Sequence, residues 1–321
     1  MSIIFRATAL AAAFACLPLS AMAQSTVTLY GRVNTTVESQ KSGGQRQTVV
    51  SDNASRFGFT GSEDLGGGLK AVFRLESGFR SDTGQTYDFE GTRKLFGREA
   101  TVGLSGGFGT IRLGQQAYLP AYLATADYVS MHNHDTGSSS DALFGGFLLP
   151  ARQSNSFSYT TPSFSGLTVE VAQSLKEGVS GLPSSTDVAA NYNAGPLHLG
   201  AGYQKVGDSK LLALRALYEL GAVTLGGYYE RDDFVIRGNR NNVRISAMYT
   251  MGASEFHANV GSAGKFSNIS DSKAQQYTLG YNYNLSKRTK VYGYVTRVND
   301  SAAAVYGGDF NSTAVGIRHN F

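Results

Sequence analysis

Apolar and polar residues alternate along almost the whole of this chain, and a two-residue period admits little besides half-buried β-strands. Val27, Leu29, Val33 and Val37 interleave with Thr28, Tyr30, Arg32, Asn34 and Glu38. Leu69, Ala71, Phe73 and Leu75 interleave with Lys70, Arg74 and Glu76, and Leu167, Val169 and Val171 with Thr168 and Glu170. The chain ends in the same period, with Val315, Ile317 and Phe321 set against Gly316, Arg318 and Asn320. Each such segment has one apolar and one polar face, so something must cover the apolar one. In water that is a second sheet or a layer of helices, and no strongly helical period appears here. In a membrane barrel it is lipid, and the polar face lines the interior. The second arrangement also accounts for charges in mid-strand, such as Arg32, Arg74 and Glu170.

The first residues read as an export signal rather than as fold. Arg6 gives a positive start, residues 7–19 are apolar, and Ala21-Met22-Ala23 is a small-residue cleavage site. The expected mature chain begins at Gln24, leaving residues 24–321 as one barrel domain. A lipoprotein reading would use Cys16, but Ala13 stands three residues before it where a leucine is wanted. Removing residues 1–23 removes the only cysteine, so neither a disulfide nor a thiolate metal site is expected. It also removes one of 28 basic residues and none of 24 acidic ones, which leaves a net charge of +3. That charge is mild and dispersed, with no Lys/Arg-rich run, and excludes a nucleic-acid partner. No apolar segment is long enough for a membrane-spanning helix. An exported chain without such a helix is either soluble or a barrel.

The links between strands fall into two alternating length classes. Short ones, several with glycine or proline turn chemistry, lie at 62–68, 105–109, 162–166, 193–196, 219–222, 250–254 and 284–289. Long polar or Gly/Ser-rich ones lie at 39–54, 80–94, 116–152, 176–186, 205–209, 232–241, 263–274 and 299–310. Seven short and eight long links join sixteen antiparallel strands. Short turns on the periplasmic side and long external loops are the pattern of outer-membrane barrels. Hydrocarbon does not tolerate an open sheet edge, so the last strand must pair with the first. Sixteen strands leave an aqueous channel, where eight would fill with side chains.

Several short motifs stand in order along the chain. They are Tyr30-Gly31, Ser55-Arg56-Phe57-Gly58, and the run from Gly61 through Glu63-Asp64-Leu65-Gly66-Gly67-Gly68 to Lys70. Phe96-Gly97-Arg98, Val102-Gly103-Leu104-Ser105, Asn155-Ser156 with Tyr159 and Pro162, and Leu285-Ser286-Lys287-Arg288-Thr289 follow. The terminal Val315-Gly316-Ile317-Arg318-His319-Asn320-Phe321 completes the set, and together, in this order, these motifs resemble the general porins of Gram-negative bacteria, in their beta-proteobacterial branch. The resemblance implies a homotrimeric 16-stranded barrel in the outer membrane that passes small hydrophilic solutes and ions passively. It implies that the third long loop, 116–152, folds into the lumen. It also implies that the C-terminal row Val315, Ile317, His319 and Phe321 is read by the barrel-assembly machinery, although Phe321 could equally be only an interfacial anchor.

Such a channel needs no catalyst and no cofactor; it needs a constriction and a field. Phe57 and Phe59 take the lipid face of their strand, which leaves Arg56 and Thr60 for the lumen. Lys70 and Arg74 share the polar face of the next strand. Arg98 precedes the apolar row Ala100, Val102 and Leu104, so strict alternation points it outward unless a bulge turns it. Arg152 closes the third loop. The resemblance implies basic constriction residues at Arg56, Arg98 and Arg152, faced by an acidic residue of the third loop, best matched by Asp127 ahead of Asp135 and Asp141. The expected pore prefers anions. The alternative is that the arginines brace the wall through Glu76, Glu99 or Glu170.

Other motifs carry less. His132, His134 and Asp135 lack a third convincing metal ligand. Gly66-Gly67-Gly68 before Lys70 lacks the spacing of a phosphate loop and reads as a turn. Tyr228-Tyr229, Tyr281 and Tyr283 read as interfacial girdle residues rather than a solute ladder, which would mark a substrate-specific channel. A hydrolase sited on the barrel rim would need a Ser/His/Asp set, and none presents itself.

Overall fold

A computed structural model describes residues 25–87, 94–116, 129, 152–176, 184–300 and 309–321. Among these there is no helix, and every strand pairing is antiparallel. The first strands are β1 (Thr26–Ser42), β2 (Gln45–Asp52), β3 (Arg56–Gly66), β4 (Leu69–Phe79), β5 (Thr86–Tyr87) and β6 (Glu99–Gly106). Then come β7 (Gly109–Gln116), β8 (Gln153–Thr160), β9 (Leu167–Ser174), β10 (Ser185–Ala194), β11 (Leu197–Val206) and β12 (Ser209–Leu220). The last are β13 (Val223–Phe234), β14 (Gly238–Met251), β15 (Ser254–Ala263), β16 (Ala274–Asn284), β17 (Thr289–Asp300) and β18 (Phe310–Asn320).

Eighteen segments make sixteen staves because two staves are each broken once. β2 and β3 lie end to end along β1, which pairs Ser42 with Gln45 at one end and Thr26 with Ser62 at the other. The break at 53–55 is tied to β1 by Asn53 N–H donating to Asn34 O (2.8 Å), with Ala54 in the left-handed region at φ 58°. β5 and β6 likewise share the edge of β4.

β1 and β18 close the barrel over a register running from Arg32 opposite Asn320 to Ser42 opposite Phe310. Closure continues to the last residue, where Gly31 and Phe321 exchange both backbone hydrogen bonds at 3.0 Å. The Phe321 ring lies over the space a Gly31 side chain would fill. Val315, Ile317, His319 and Phe321 all lie on the exposed outer row.

Burial is inverted relative to a soluble protein, because lipid and not the interior takes the apolar row. Ile245 is 72% exposed on β14 while its neighbour Arg244 is 2% exposed. Val27, Leu29, Val102, Leu113, Val243 and Leu279 are exposed, while Asn34, Thr36, Glu38, Asn242 and Ser246 are buried. Against water this outer row would cost about 25 cal/mol per Å²; against hydrocarbon it costs nothing.

All seven short turns fall where expected, six of them on glycine or proline and the seventh, 284–289, on Ser286 Oγ accepting from the N–H groups of Arg288 and Thr289 (3.1 and 3.0 Å); Gly66, Gly67 and Gly68 take φ of 87°, 61° and 80°, a turn rather than a phosphate loop. Three expected long loops are largely strand. Residues 39–54 form the hairpin of β1 and β2 around Gly43-Gly44, β11 and β12 pair up to Val206 opposite Ser209 within 205–209, and β13 and β14 continue to Phe234 and Gly238. Beyond the apolar belt both faces of a stave meet water, so its sequence turns polar throughout and looks like a loop.

Candidate pore constriction

The inward row of the first staves carries a ladder of alternating charge. The period of two places Tyr30 and Arg32 on the inner face of β1, Arg56 on β3, and Arg74 and Glu76 on β4. Glu99 (β6), Arg112 (β7) and Glu170 (β9) continue it. Glu76 and Glu99 are directly opposite in the register of β4 and β6, a like-charge pair that would repel without intervening cations.

Those cations are present. Arg98 Nε stands 2.6 Å from Glu76 Oε1, and Arg56 Nε stands 3.9 Å from Glu76 Oε2. Arg74 and Arg112 each reach Glu99 at 3.5 Å, and Arg112 also reaches Glu170 at 3.4 Å. Tyr30 ties the two halves together. Its hydroxyl donates to Glu76 Oε2 (2.9 Å) and accepts from Arg74 Nε (2.8 Å), and the Arg74 guanidinium lies over its ring at 5.0 Å.

Exposure separates the two signs. The Arg56, Arg74 and Arg112 side chains are 20%, 44% and 26% exposed, whereas Glu76, Glu99 and Glu170 are 5%, 2% and 17% exposed. The carboxylates lie against the wall and the guanidiniums stand in front of them.

Arg98 points inward despite the phase of β6. Ladder pairing of β4 with β6 begins at Glu76 opposite Glu99, so Arg98 is outside regular strand geometry. Its N–H donates to Glu76 O (3.1 Å), and the Gln115 side-chain amide holds the preceding Gly97 carbonyl. Freed from alternation, its side chain turns onto Glu76 and is buried.

Arg152 is buried where the chain re-enters the wall at β8, and takes no part in these described ion pairs. The adjoining Gln153 amide donates to Ser185 Oγ and Asp187 Oδ2. Lys70 is on the inner row but four residues, about 13 Å, from Arg74 towards the 66–69 turn, beside Asp64, so it stands at the mouth. Asp127, Asp135, Asp141, His132 and His134 lie outside the described residues, as do residues 1–24. From the third loop Val129 is described. It is buried within the barrel against Leu217 and Tyr228, and His257 Nδ1 is 3.2 Å from its carbonyl oxygen. A carbonyl only accepts, so Nδ1 carries the proton, and Nε2 accepts from Asn282 Nδ2 at 3.0 Å.

Two sequence readings need amendment. Tyr228 is not a girdle residue: it is buried inside, because neighbours on a strand face opposite ways and only Tyr229 is on the outer row. Arg112 and Tyr30 belong to the ladder and were not among the expected site residues. Ile111 and Leu113, both outward, already placed Arg112 inside.

A family model described as Gram-negative porin matches residues 7–303. The chain belongs to the Gram-negative porin family. Outer membrane porin protein 32 of Delftia acidovorans is 32% identical over 94% of this porin and 96% of the relative. An outer membrane porin protein of Bordetella pertussis is 30% identical over 84% and 83%. Among solved structures, an anion-selective porin from Comamonas acidovorans superposes with a TM-score of 0.72 at 28% identity, covering 93% of this porin and all of that chain. This porin resides in the bacterial outer membrane, and the barrel end that holds the start of β1, Phe321 and the short turns is the periplasmic one in outer-membrane barrels.

Proposed function

We propose that this porin is a passive, water-filled diffusion channel for small hydrophilic solutes and ions, and that it prefers anions. The observation that carries the reading is the layering of charge, with Arg56, Arg74 and Arg112 in front of Glu76, Glu99 and Glu170. A diffusing ion meets guanidinium first, and a ring of one sign in a narrow passage enriches counter-ions there. The likeness to a protein titled an anion-selective porin agrees with this.

In this reading Arg56, Arg74 and Arg112 form the face of the constriction, Arg98 adds its charge from its buried place on Glu76, and Arg152 extends the basic wall, while Lys70 draws anions in at the periplasmic mouth. The third loop narrows the lumen and presents Asp127 to the arginines; the burial of Val129 against the far wall supports that course. The wall-bracing role of the same arginines is part of this design, since pairing with buried glutamates fixes the guanidiniums in place. Relatives of this porin are channels, and the proposal assigns it no catalytic step and no cofactor. Its partners are two further copies in a homotrimer, outer-membrane lipid, and the assembly machinery that reads Val315, Ile317, His319 and Phe321 after Sec export and removal of residues 1–23. The test is the reversal potential in a planar bilayer under a KCl gradient. Its sign should report anion preference, and clear cation preference would overturn the reading.

A further inference from the structure

Across the lumen from the charge ladder, the inner wall holds a chain of hydrogen bonds that ends on the third loop. Glu255 and His257 point inward on β15 on either side of outward Phe256, and the register sets Glu255 directly opposite Asn282 of β16. Asn284 of β16 stands opposite Lys290 of β17. Glu255 Oε1 accepts from Asn284 Nδ2 at 2.7 Å. Its Oε2 accepts from Lys290 Nζ at 3.2 Å and from Asn282 Nδ2 at 2.8 Å. The other hydrogen of the Asn282 amide goes to His257 Nε2 at 3.0 Å, and His257 Nδ1 meets the Val129 carbonyl oxygen at 3.2 Å. Gly280, directly opposite His257, brings no side chain between the ring and the loop.

Each link in this chain sets the next. Turning the Asn282 amide over would put its Oδ1 against the Glu255 carboxylate, so the carboxylate holds Nδ2 between the two acceptors. An N–H aimed at Nε2 leaves that nitrogen only the accepting role. Which imidazole nitrogen carries the proton is set by the bond the other one makes, and here that places it on Nδ1. Of the two neutral forms, only this one can donate to a carbonyl; the other would set a lone pair against the Val129 oxygen. The Val129 side chain is buried against Leu217 and Tyr228. Apolar contact is non-directional, so it seats the side chain but does not aim the backbone, whereas the imidazole N–H does.

We propose that His257 is a positioning residue that latches the third loop at Val129, and that Glu255 and Asn282 select the tautomer in which the latch can close. The proposal rests on the reading of the lumen as a conducting path narrowed by that loop. His257 acts on the loop and not on the permeating ion. Loss of the latch therefore lets the cross-section of the pore fluctuate, and it appears as excess noise in the open-channel current. Without Asn282, an Nε2–H would turn to Glu255 Oε2, 3.7 Å away, and leave Nδ1 bare in front of the carbonyl. An asparagine at 257 would carry its own N–H at the position of Nδ1, and would donate to Val129 whatever stands at 282.

The test pairs two measurements on the purified full-length porin at about pH 9, well above the ordinary histidine range, so that the rings are neutral. The first is nitrogen NMR of histidine-labelled protein, with the His257 signals identified by their loss in His257→Asn. The wild type should show a protonated Nδ1 and a bare Nε2, and in Asn282→Leu the proton should move to Nε2. The second is excess open-channel noise in planar bilayers. Asn282→Leu should raise it about fivefold, the population change that loss of one ordinary hydrogen bond brings. His257→Asn should remain within about twofold of wild type, and so should His257→Asn combined with Asn282→Leu, because the donor no longer depends on Asn282. Should Asn282→Leu fail to assemble, His257→Ala (noisy) against His257→Asn (quiet) gives the same reading. A wild-type proton on Nε2, unchanged noise in Asn282→Leu, or a double variant as noisy as Asn282→Leu alone would overturn the proposal. Absence of any wild-type conductance would instead overturn the pore reading, while the nitrogen signals still decide the tautomer.

Discussion

Replacing Arg56 and Arg74 together by alanine removes two lumen-facing guanidiniums without stranding a carboxylate. Glu76 keeps Arg98 at 2.6 Å, and Glu99 keeps Arg112 at 3.5 Å. The ladder should therefore hold while the field in front of it falls. An ion passing about 6 Å from a guanidinium in water gains or loses about 0.7 kcal/mol. In 0.1 M salt, screening leaves about 0.4 kcal/mol of that. Anion and cation feel opposite signs, so each charge biases the anion-to-cation permeability ratio about fourfold and the pair roughly tenfold. In 1 M salt the screening length shrinks to about 3 Å, and the pair should change the ratio by about twofold. The assay is the reversal potential in planar bilayers at low and high salt, with Arg56→Lys/Arg74→Lys as the charge-retaining control. A ratio in the alanine variant within about twofold of wild type at 0.1 M would refute the idea that permeating ions sense these guanidiniums.

Arg98→Ala leaves Glu76 with the distant Arg56 at 3.9 Å and the Tyr30 hydroxyl, and should cost the barrel about 3 kcal/mol in urea unfolding followed by electrophoretic mobility; an unshifted midpoint argues against a buried brace. Gly31→Val places a side chain against the Phe321 ring and 2.7 Å from Arg56 O, which should cost about 1–3 kcal/mol and lower the yield of heat-resistant barrel; wild-type yield would show that the seam can yield there. Asp127→Asn should raise the anion-to-cation ratio about fourfold in 0.1 M salt, and no change places Asp127 away from the ion path. The intact mass of the protein extracted from outer membranes should correspond to a chain beginning at Gln24; a mass that retains Cys16 contradicts cleavage after Ala23.

The barrel was legible because its physics is local. A lipid-facing row and a water-facing row on every stave write themselves into the sequence with period two, and Phe57 and Phe59 alone sufficed to turn Arg56 inward. Turn chemistry added the stave count, since Gly66–Gly68 and its counterparts force reversals. The extramembrane ends were harder to read. Where Glu230, Asp232, Arg240 and Asn242 line the interior, outward Asp233 and Asn241 are polar too, and no alternation remains to distinguish strand from loop. Arg98 was ambiguous for a related reason. Its direction is set by where the β4–β6 ladder begins and by the Gln115 contact to Gly97, both of them long-range facts. The glutamates were visible as possible partners, but their burial behind the guanidiniums, on which the electrostatic reading rests, appears only in three dimensions.

The central claim is that guanidinium charge in front of buried carboxylate makes an open, anion-preferring pore. The most direct measurement is the wild-type permeability ratio from reversal potentials over a series of KCl concentrations. A ratio that favours chloride and falls towards unity as salt rises from about 0.1 M to about 1 M agrees with the account. A ratio that favours potassium at low salt, or no conductance at all, contradicts it.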